Sequence, residues 1–178
     1  KRFLADFEAS QQGLGYIEDM TFEGSCRVAI VGAGPAGLTC AHALARMKHR
    51  STIFEALPVP GGMVAVGMPR FRLPYEIREA EISAIIKKGV QIRTNTTVGK
   101  NLTFDDLRAQ GYKAIFVAIG AHKNRALDIE GEDLDGVTNA IMLLRDINLK
   151  KPVKLGDKVA IVGGGYTAID SARSAVRL

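Results

Sequence analysis

At 178 residues, 47% hydrophobic and 24% charged, the chain is long enough for one full domain and part of another, and its composition excludes a fibrous or disordered protein. The formal charge of +5 comes from scattered basic residues and short pairs such as Lys87–Lys88 and Lys150–Lys151, which reads as a solvated surface with a mild attraction for phosphate-bearing ligands and argues against a nucleic-acid partner. Two cysteines, Cys26 and Cys40, and three histidines in no ligand-like spacing argue against a metal or iron–sulfur site within the chain and make a reducing, cytoplasmic setting the expectation.

The first ten residues, KRFLADFEAS, place Phe3, Leu4 and Phe7 on one helical face and carry charges where a signal peptide needs an apolar core. Residues 11–25 read as linker, so 1–24 is expected to be the trailing piece of an upstream domain. Val28–Ala45 contains no charged side chain, yet Gly32, Gly34, Pro35 and Gly37 interrupt it, and no neighbouring apolar span could cover the backbone groups they free in a membrane. It divides into a buried strand at Arg27–Val31, a glycine turn and a helix over Pro35–Met47; Ser51–Glu55 is the next strand. Such a strand–helix–strand unit of about 30 residues is the size of a right-handed parallel crossover.

A Pro- and Gly-crowded loop follows, then a helix at Tyr75–Lys88 with Ile77, Ala80, Ile82, Ile85 and Ile86 as its apolar face and Gly89 as its C-terminal cap. Val90–Arg93 is expected as a strand. Thr103–Gln110 is expected as a helix capped by Thr103, with Asp106 in its first turn. Lys113–Ile119 reads as another buried strand closing at Gly120, and Ala140–Asn148 as a helix. Lys158–Val162 then reads as a strand, followed by a second glycine turn and a helix from Thr167. The fold class expected is α/β: a Rossmann-like first domain over 25–150 and the beginning of a second over 151–178. The second unit lacks the strand to which its crossover should lead, so the chain reads as a fragment of something larger.

Gly32-Ala33-Gly34-Pro35-Ala36-Gly37 matches G-x-G-x-x-G after a strand and before a helix, and Glu55, 18 residues beyond Gly37, ends the next strand. In that context each part has a mechanical role. Gly32 permits the tight turn, Gly34 lets a pyrophosphate approach the backbone, and Gly37 lets helix and strand pack closely. The helix N-terminus offers amides and partial positive charge to the phosphates, and Glu55 can accept hydrogen bonds from a ribose diol. Gly163-Gly164-Gly165-Tyr166-Thr167-Ala168 repeats the pattern as G-x-G-x-x-A. Two such cradles about 130 residues apart suggest two dinucleotides, as in a flavin enzyme that takes hydride from a nicotinamide.

These motifs resemble the FAD- and NAD(P)H-binding oxidoreductases of the glutamate synthase small (β) subunit type, including the flavin modules of dihydropyrimidine dehydrogenase and NADPH:ferredoxin transhydrogenases. The stretches that carry the likeness are RFLADFE, VAIVGAGPAGLTCA, FEALPVPGGM, GMPRFRLPYEI, YKAIFVAIGA and AIVGGGYTAIDSAR. The resemblance implies FAD at Gly32, Gly34, Pro35, Ala36, Gly37, Glu55 and Ala56. It implies that Gly62, Met63, Arg70 and Leu73 lie along the flavin side, and Ala118 and Gly120 near the FAD backbone. Gly163, Gly165, Tyr166, Thr167 and Ala168 would meet the phosphates of NADP or NAD, with Tyr166 in place of the family's usual Asn, and Lys48 stands where Gly is common. It further implies iron–sulfur clusters in the parent protein but outside this segment, and a larger subunit or domain that accepts electrons. Hydride transfer between the two rings needs their alignment more than a protein acid or base, so no catalytic residue is assigned. A disulfide reductase of the thioredoxin reductase type and a non-catalytic flavin-binding relay or scaffold subunit are the alternatives. Asp170 reads as compensation of a helix dipole, and Arg70 and Arg72 either as a surface pair or as neighbours of the flavin.

Overall fold

The computed structural model describes Phe7, Phe22 and residues 26–178 except Arg125. The expected face of Phe3 and Leu4 and the linker around them lie outside the described residues; Phe7 is helical and exposed. The chain forms two compact units, residues 26–62 with Tyr75–Gly120, and Met63–Pro74 with Ala121–Leu178.

The first unit is a parallel sheet. Its strands are β1 (Arg27–Val31), β2 (Arg50–Phe54), β3 (Gln91–Arg93) and β4 (Ala114–Val117), in spatial order β3-β2-β1-β4. Val31 stands opposite Phe54 on one side and Val117 on the other, so β1 is hydrogen-bonded along both edges. The chain leaves β1 through α1 (Pro35–Arg46), β2 through α2 (Met63–Val66) and α3 (Tyr75–Ile86), and β3 through α4 (Phe104–Ala109). Alternation in the pleat divides the core. Val28, Ile30 and Ile53 pack with Leu38, Ala41 and Ala45 of α1 and Ile82 of α3 on one face. Ala29 and Phe54 pack with Leu107 of α4 and Tyr112 on the other. A strand covered on both faces reads as the continuous apolar run seen in the sequence. This is the parallel α/β arrangement that the motif spacing implied.

Local sequence explains the helix ends. Thr103 Oγ1 accepts from Asp106 N at 3.1 Å while Asp106 Oδ2 accepts from Thr103 N at 2.8 Å, the reciprocal capping box expected at α4. At the end of α1, His49 N donates to Leu44 O and Lys48 N to Ala45 O, both at 2.9 Å, a Schellman turn that puts Lys48 at φ 61°. That left-handed conformation is the reason glycine suits the position.

Three expectations need correction. β4 is not a buried strand: Phe116 is 42% and Val117 54% exposed, because β4 is the sheet's edge among the described residues. The apolar set on α3 does not form one face, since at 100° per residue its five members spread over about 240° of the helix. Accordingly Ile82 is buried, Ile85 packs beside it and Ile86 is 44% exposed. Lys158–Val162 is not a strand, because no other strand of its unit lies among the described residues to take its backbone hydrogen bonds.

The second unit is helical. α5 (Ala140–Asn148) packs on α6 (Tyr166–Ala175) and on α2. Asn139 caps α5 by accepting from Ile141 N at 2.8 Å, and Asn148 Nδ2 donates to Val66 O at 2.9 Å and Met68 O at 3.2 Å. Leu143 and Leu144 are buried here, together with the small Ser171 and Ser174 of α6.

Candidate functional site

The first cradle begins where β1 runs out. Gly32 takes φ 105°, and a Cβ there would strike the Ala118 carbonyl oxygen. Ala118 N in turn donates to Val31 O at 2.8 Å, so the end of β4 closes one wall of the turn. Gly34 is the N-cap of α1 with extended backbone, φ −75° and ψ −179°, and Pro35 occupies the first helical position. A Cβ on Gly37 would collide with the Gly32 carbonyl oxygen and come within 3.2 Å of Ile30 Cγ2. That is the close packing of helix on strand for which glycine was expected.

Gly61 and Gly62 press on the same turn. Gly61 N donates to Ala33 O at 2.8 Å, and Gly62 at φ 55° approaches so closely that a Cβ on it would lie 2.7 Å from Gly34 Cα. A Cβ on Gly34, by contrast, would meet only Gly62 Cα, at 3.9 Å. An added carbon at Gly34 thus makes an ordinary contact and no clash, and the helix N-terminus behind it is the kind of end at which a pyrophosphate meets unbonded amides. Glu55 follows β2 alongside the turn and is buried at 6% exposure. Its Oε2 accepts from Ala33 N at 2.7 Å and its Oε1 from Leu57 N at 2.8 Å. Each carboxylate oxygen keeps a second lone pair for a ribose hydroxyl. Ala56, Pro35 and Ala36 are exposed beside these groups, and Gly120 turns the chain away at φ 65°.

The second cradle copies the first in backbone. Gly163 has φ 115°, and Gly165 is the N-cap of α6 at φ −75° and ψ 172°. Tyr166 and Thr167 are exposed, and Ala168, in the third glycine's place, lies 3.6 Å from where a Cβ of Gly163 would stand. Nothing within 4 Å would oppose a Cβ on Gly164 or Gly165.

The residues assigned to the flavin side are divided between the units. Gly62 stands in the first, while Met63, Arg70 and Leu73 belong to the second. In that second unit the 68–74 loop is bound to α6 by contacts the local sequence did not reveal. Arg72 Nη1 donates to Asp170 Oδ2 at 2.7 Å, with the Asp170 side chain 7% exposed. The Arg72 guanidinium lies 5.5 Å from the Tyr166 ring centre, and Phe71 holds Arg173 at 4.3 Å and Arg177 at 4.7 Å from its own. Asp170 is thus one half of an ion pair rather than dipole compensation alone. The available signal was an acid on the buried side of α6 next to Ser171; its partner stands 98 residues away in sequence.

Both cysteines are free, and burial pushes the Cys40 thiol up, away from the thiolate form that disulfide chemistry uses. His42 on α1 is pushed down by burial and by Lys88 and Arg46. Among the described residues, no helix is long and apolar enough to cross a membrane.

Residues 26–178 match the family model of the pyridine nucleotide-disulphide oxidoreductases. The chain belongs to that family. Family members bind FAD and NAD(P)H, and at Gly34, Gly164 and Gly165 an added carbon would meet no clash, which is compatible with the close approach of such a group. The chain is 49% identical over 154 residues to the NADP(+)-dependent formate dehydrogenase subunit beta of Moorella thermoacetica, covering 85% of this chain and 22% of that protein. It is 33% identical over 186 residues to the glutamate synthase (NADPH) small chain of Escherichia coli strain K12, covering 91% of this chain and 39% of the relative. Among solved structures, a 2-naphthoyl-CoA reductase complex aligns with a TM-score of 0.69 at 34% identity, over 87% of this chain and 22% of that one. The likeness to glutamate synthase small subunits drawn from the motifs is borne out, and the chain spans well under half the length of these relatives.

Proposed function

We propose that this chain is the flavin and pyridine-nucleotide module of an NAD(P)H oxidoreductase that passes electrons to iron–sulfur clusters or a partner subunit. Residues 25–150 would contribute the N-terminal part of the FAD domain, 151–178 would open the nucleotide domain, and 1–24 would follow an iron–sulfur domain. The observation that carries this reading is the repetition of one backbone device. In both cradles a glycine with φ above 100° is followed two residues later by an extended glycine N-cap.

In the first cradle, Gly34, Pro35, Ala36 and Gly37 would hold the FAD pyrophosphate and Glu55, beside Ala56, the ribose, with Ala118 and Gly120 bordering the same cofactor. Gly62, Met63, Arg70 and Leu73 would line the flavin side. Gly163, Gly165, Tyr166, Thr167 and Ala168 would receive the pyridine nucleotide. When bound, the two cofactors supply hydride acceptor and donor; the chain's own part is to fix their phosphates and exclude side chains from the approach. The naming of one relative as a beta subunit supports a partner that takes the electrons onward.

The test is the visible spectrum of the purified full-length protein under anaerobic conditions. Flavin absorbance bleached by NADPH or by NADH supports the reading and identifies the donor. A colourless protein that takes up no flavin contradicts it.

A further inference from the structure

The Arg72–Asp170 pair sits where charge matters most to the second cradle. Asp170 is the fifth residue of α6, so its backbone lies about one turn, or ~6 Å along the axis, from the first residue of the helix, whose end would meet a pyrophosphate. A buried carboxylate at that distance, well within the Debye length, opposes a doubly negative ligand. Arg72 cancels that charge directly, at 2.7 Å. The Arg72 side chain remains 37% exposed, and its guanidinium lies against Tyr166, the first residue of α6. Guanidinium offers five N–H donors in one plane, more than a single carboxylate oxygen consumes. The flanking contacts of Phe71 with Arg173 and Arg177 hold the loop in this register.

We infer that Arg72, acting through its pair with Asp170, is a positioning residue for the pyridine nucleotide: it neutralises the acid inside α6 and turns a cationic edge toward the cradle. This rests on the assignment of that cradle under Proposed function. It gives the loop of residues 68–74 a role in nucleotide affinity, separate from any contact with flavin.

The test is calorimetric titration of the full-length protein with NADPH and NADP⁺, with bound FAD and melting temperature measured on the same samples. Arg72→Gln, which leaves the acid uncompensated, is expected to weaken nucleotide binding about tenfold or more, and Arg72→Lys to retain most of the affinity. Asp170→Asn is the discriminating variant. It removes the opposing charge and keeps the cation, so binding should be at least as tight as in the unsubstituted protein. A pair that served only to hold the fold would give weaker binding instead. The double variant Arg72→Gln/Asp170→Asn should recover much of the loss.

Nucleotide binding unchanged in Arg72→Gln, or weakened in Asp170→Asn as far as in Arg72→Gln, overturns the inference. Should Arg72→Gln fail to fold, the sign of the Asp170→Asn effect decides. An unsubstituted protein that holds FAD but binds neither nucleotide overturns the cradle assignment itself, and the inference with it.

Discussion

The two cradles share backbone dihedrals but differ in what surrounds them. In the first, Gly32, Gly37 and Gly62 each stand where a single added carbon would press into backbone. In the second, a Cβ on Gly164 or Gly165 would meet nothing within 4 Å, and the third glycine is already Ala168. The first turn is wedged between a four-stranded sheet, the end of β4 and the Gly61–Gly62 segment. The second is carried by a helix whose unit has no sheet among the described residues. Backbone shape in such a turn is thus set locally by glycine, whereas its rigidity is supplied by the elements packed around it.

The stiffest point of the first cradle is Gly37. Gly37→Ala places a methyl against the Gly32 carbonyl, so the first unit should lose about 3 kcal/mol in urea unfolding. The reciprocal change, Ala168→Gly, meets no such wall and should cost only about 1 kcal/mol, from helix propensity. Equal losses in the two would show that the first cradle is no tighter than the second.

Next is the ion pair. Arg72→Ala leaves Asp170 buried without its partner and should destabilise the second unit by about 2 kcal/mol, below the range for a fully buried pair because Arg72 is 37% exposed. Chemical denaturation followed by a probe in α6 would measure it.

A smaller gain is expected at the end of the first cradle's helix. Lys48→Gly relieves a left-handed residue at φ 61° and should stabilise by about 0.5–1 kcal/mol, seen as a raised Tm. The smallest effect is a pH dependence. Hydrogen bonds from the Thr103 side chain and backbone hold the Asp106 carboxyl below its usual range. A group depressed in the folded state contributes stability above its unfolded pKa and loses it as pH falls through the folded one, so the α4 cap should weaken below roughly pH 4. Asp106→Asn should flatten that part of the acid-unfolding curve.

Much of the first unit was legible because its signals are local. The run from Val28 to Val31, the glycine turn, the cap at Thr103 and the acid after β2 each declare themselves within a few residues. What sequence could not supply were long-range relations. Edge exposure of β4 depends on which strand lies beside it, and the fate of Lys158–Val162 on whether any strand does. Asp170 reads in sequence as dipole compensation alone because Arg72 is 98 residues away. The departure at Lys48 is visible in sequence only as a lysine where Gly is common, and it acquires its cost from a dihedral. At the candidate site the cradle glycines were readable one by one, while the grip of Gly61 and Gly62 on the turn required the folded loop.

If the two similar turns hold two different cofactors, one crossed measurement separates them. Gly34→Val and Gly165→Val both alter extended positions at φ −75°, where a side chain is conformationally allowed and meets little protein. Each should therefore fold while blocking the approach of a phosphate. FAD content and NAD(P)H affinity, measured on both full-length variants, should separate: Gly34→Val loses FAD and keeps the nucleotide, and Gly165→Val keeps FAD and binds the nucleotide at least about tenfold more weakly. If either substitution removed both cofactors, or neither did anything, the assignment of one cofactor to each cradle would be contradicted.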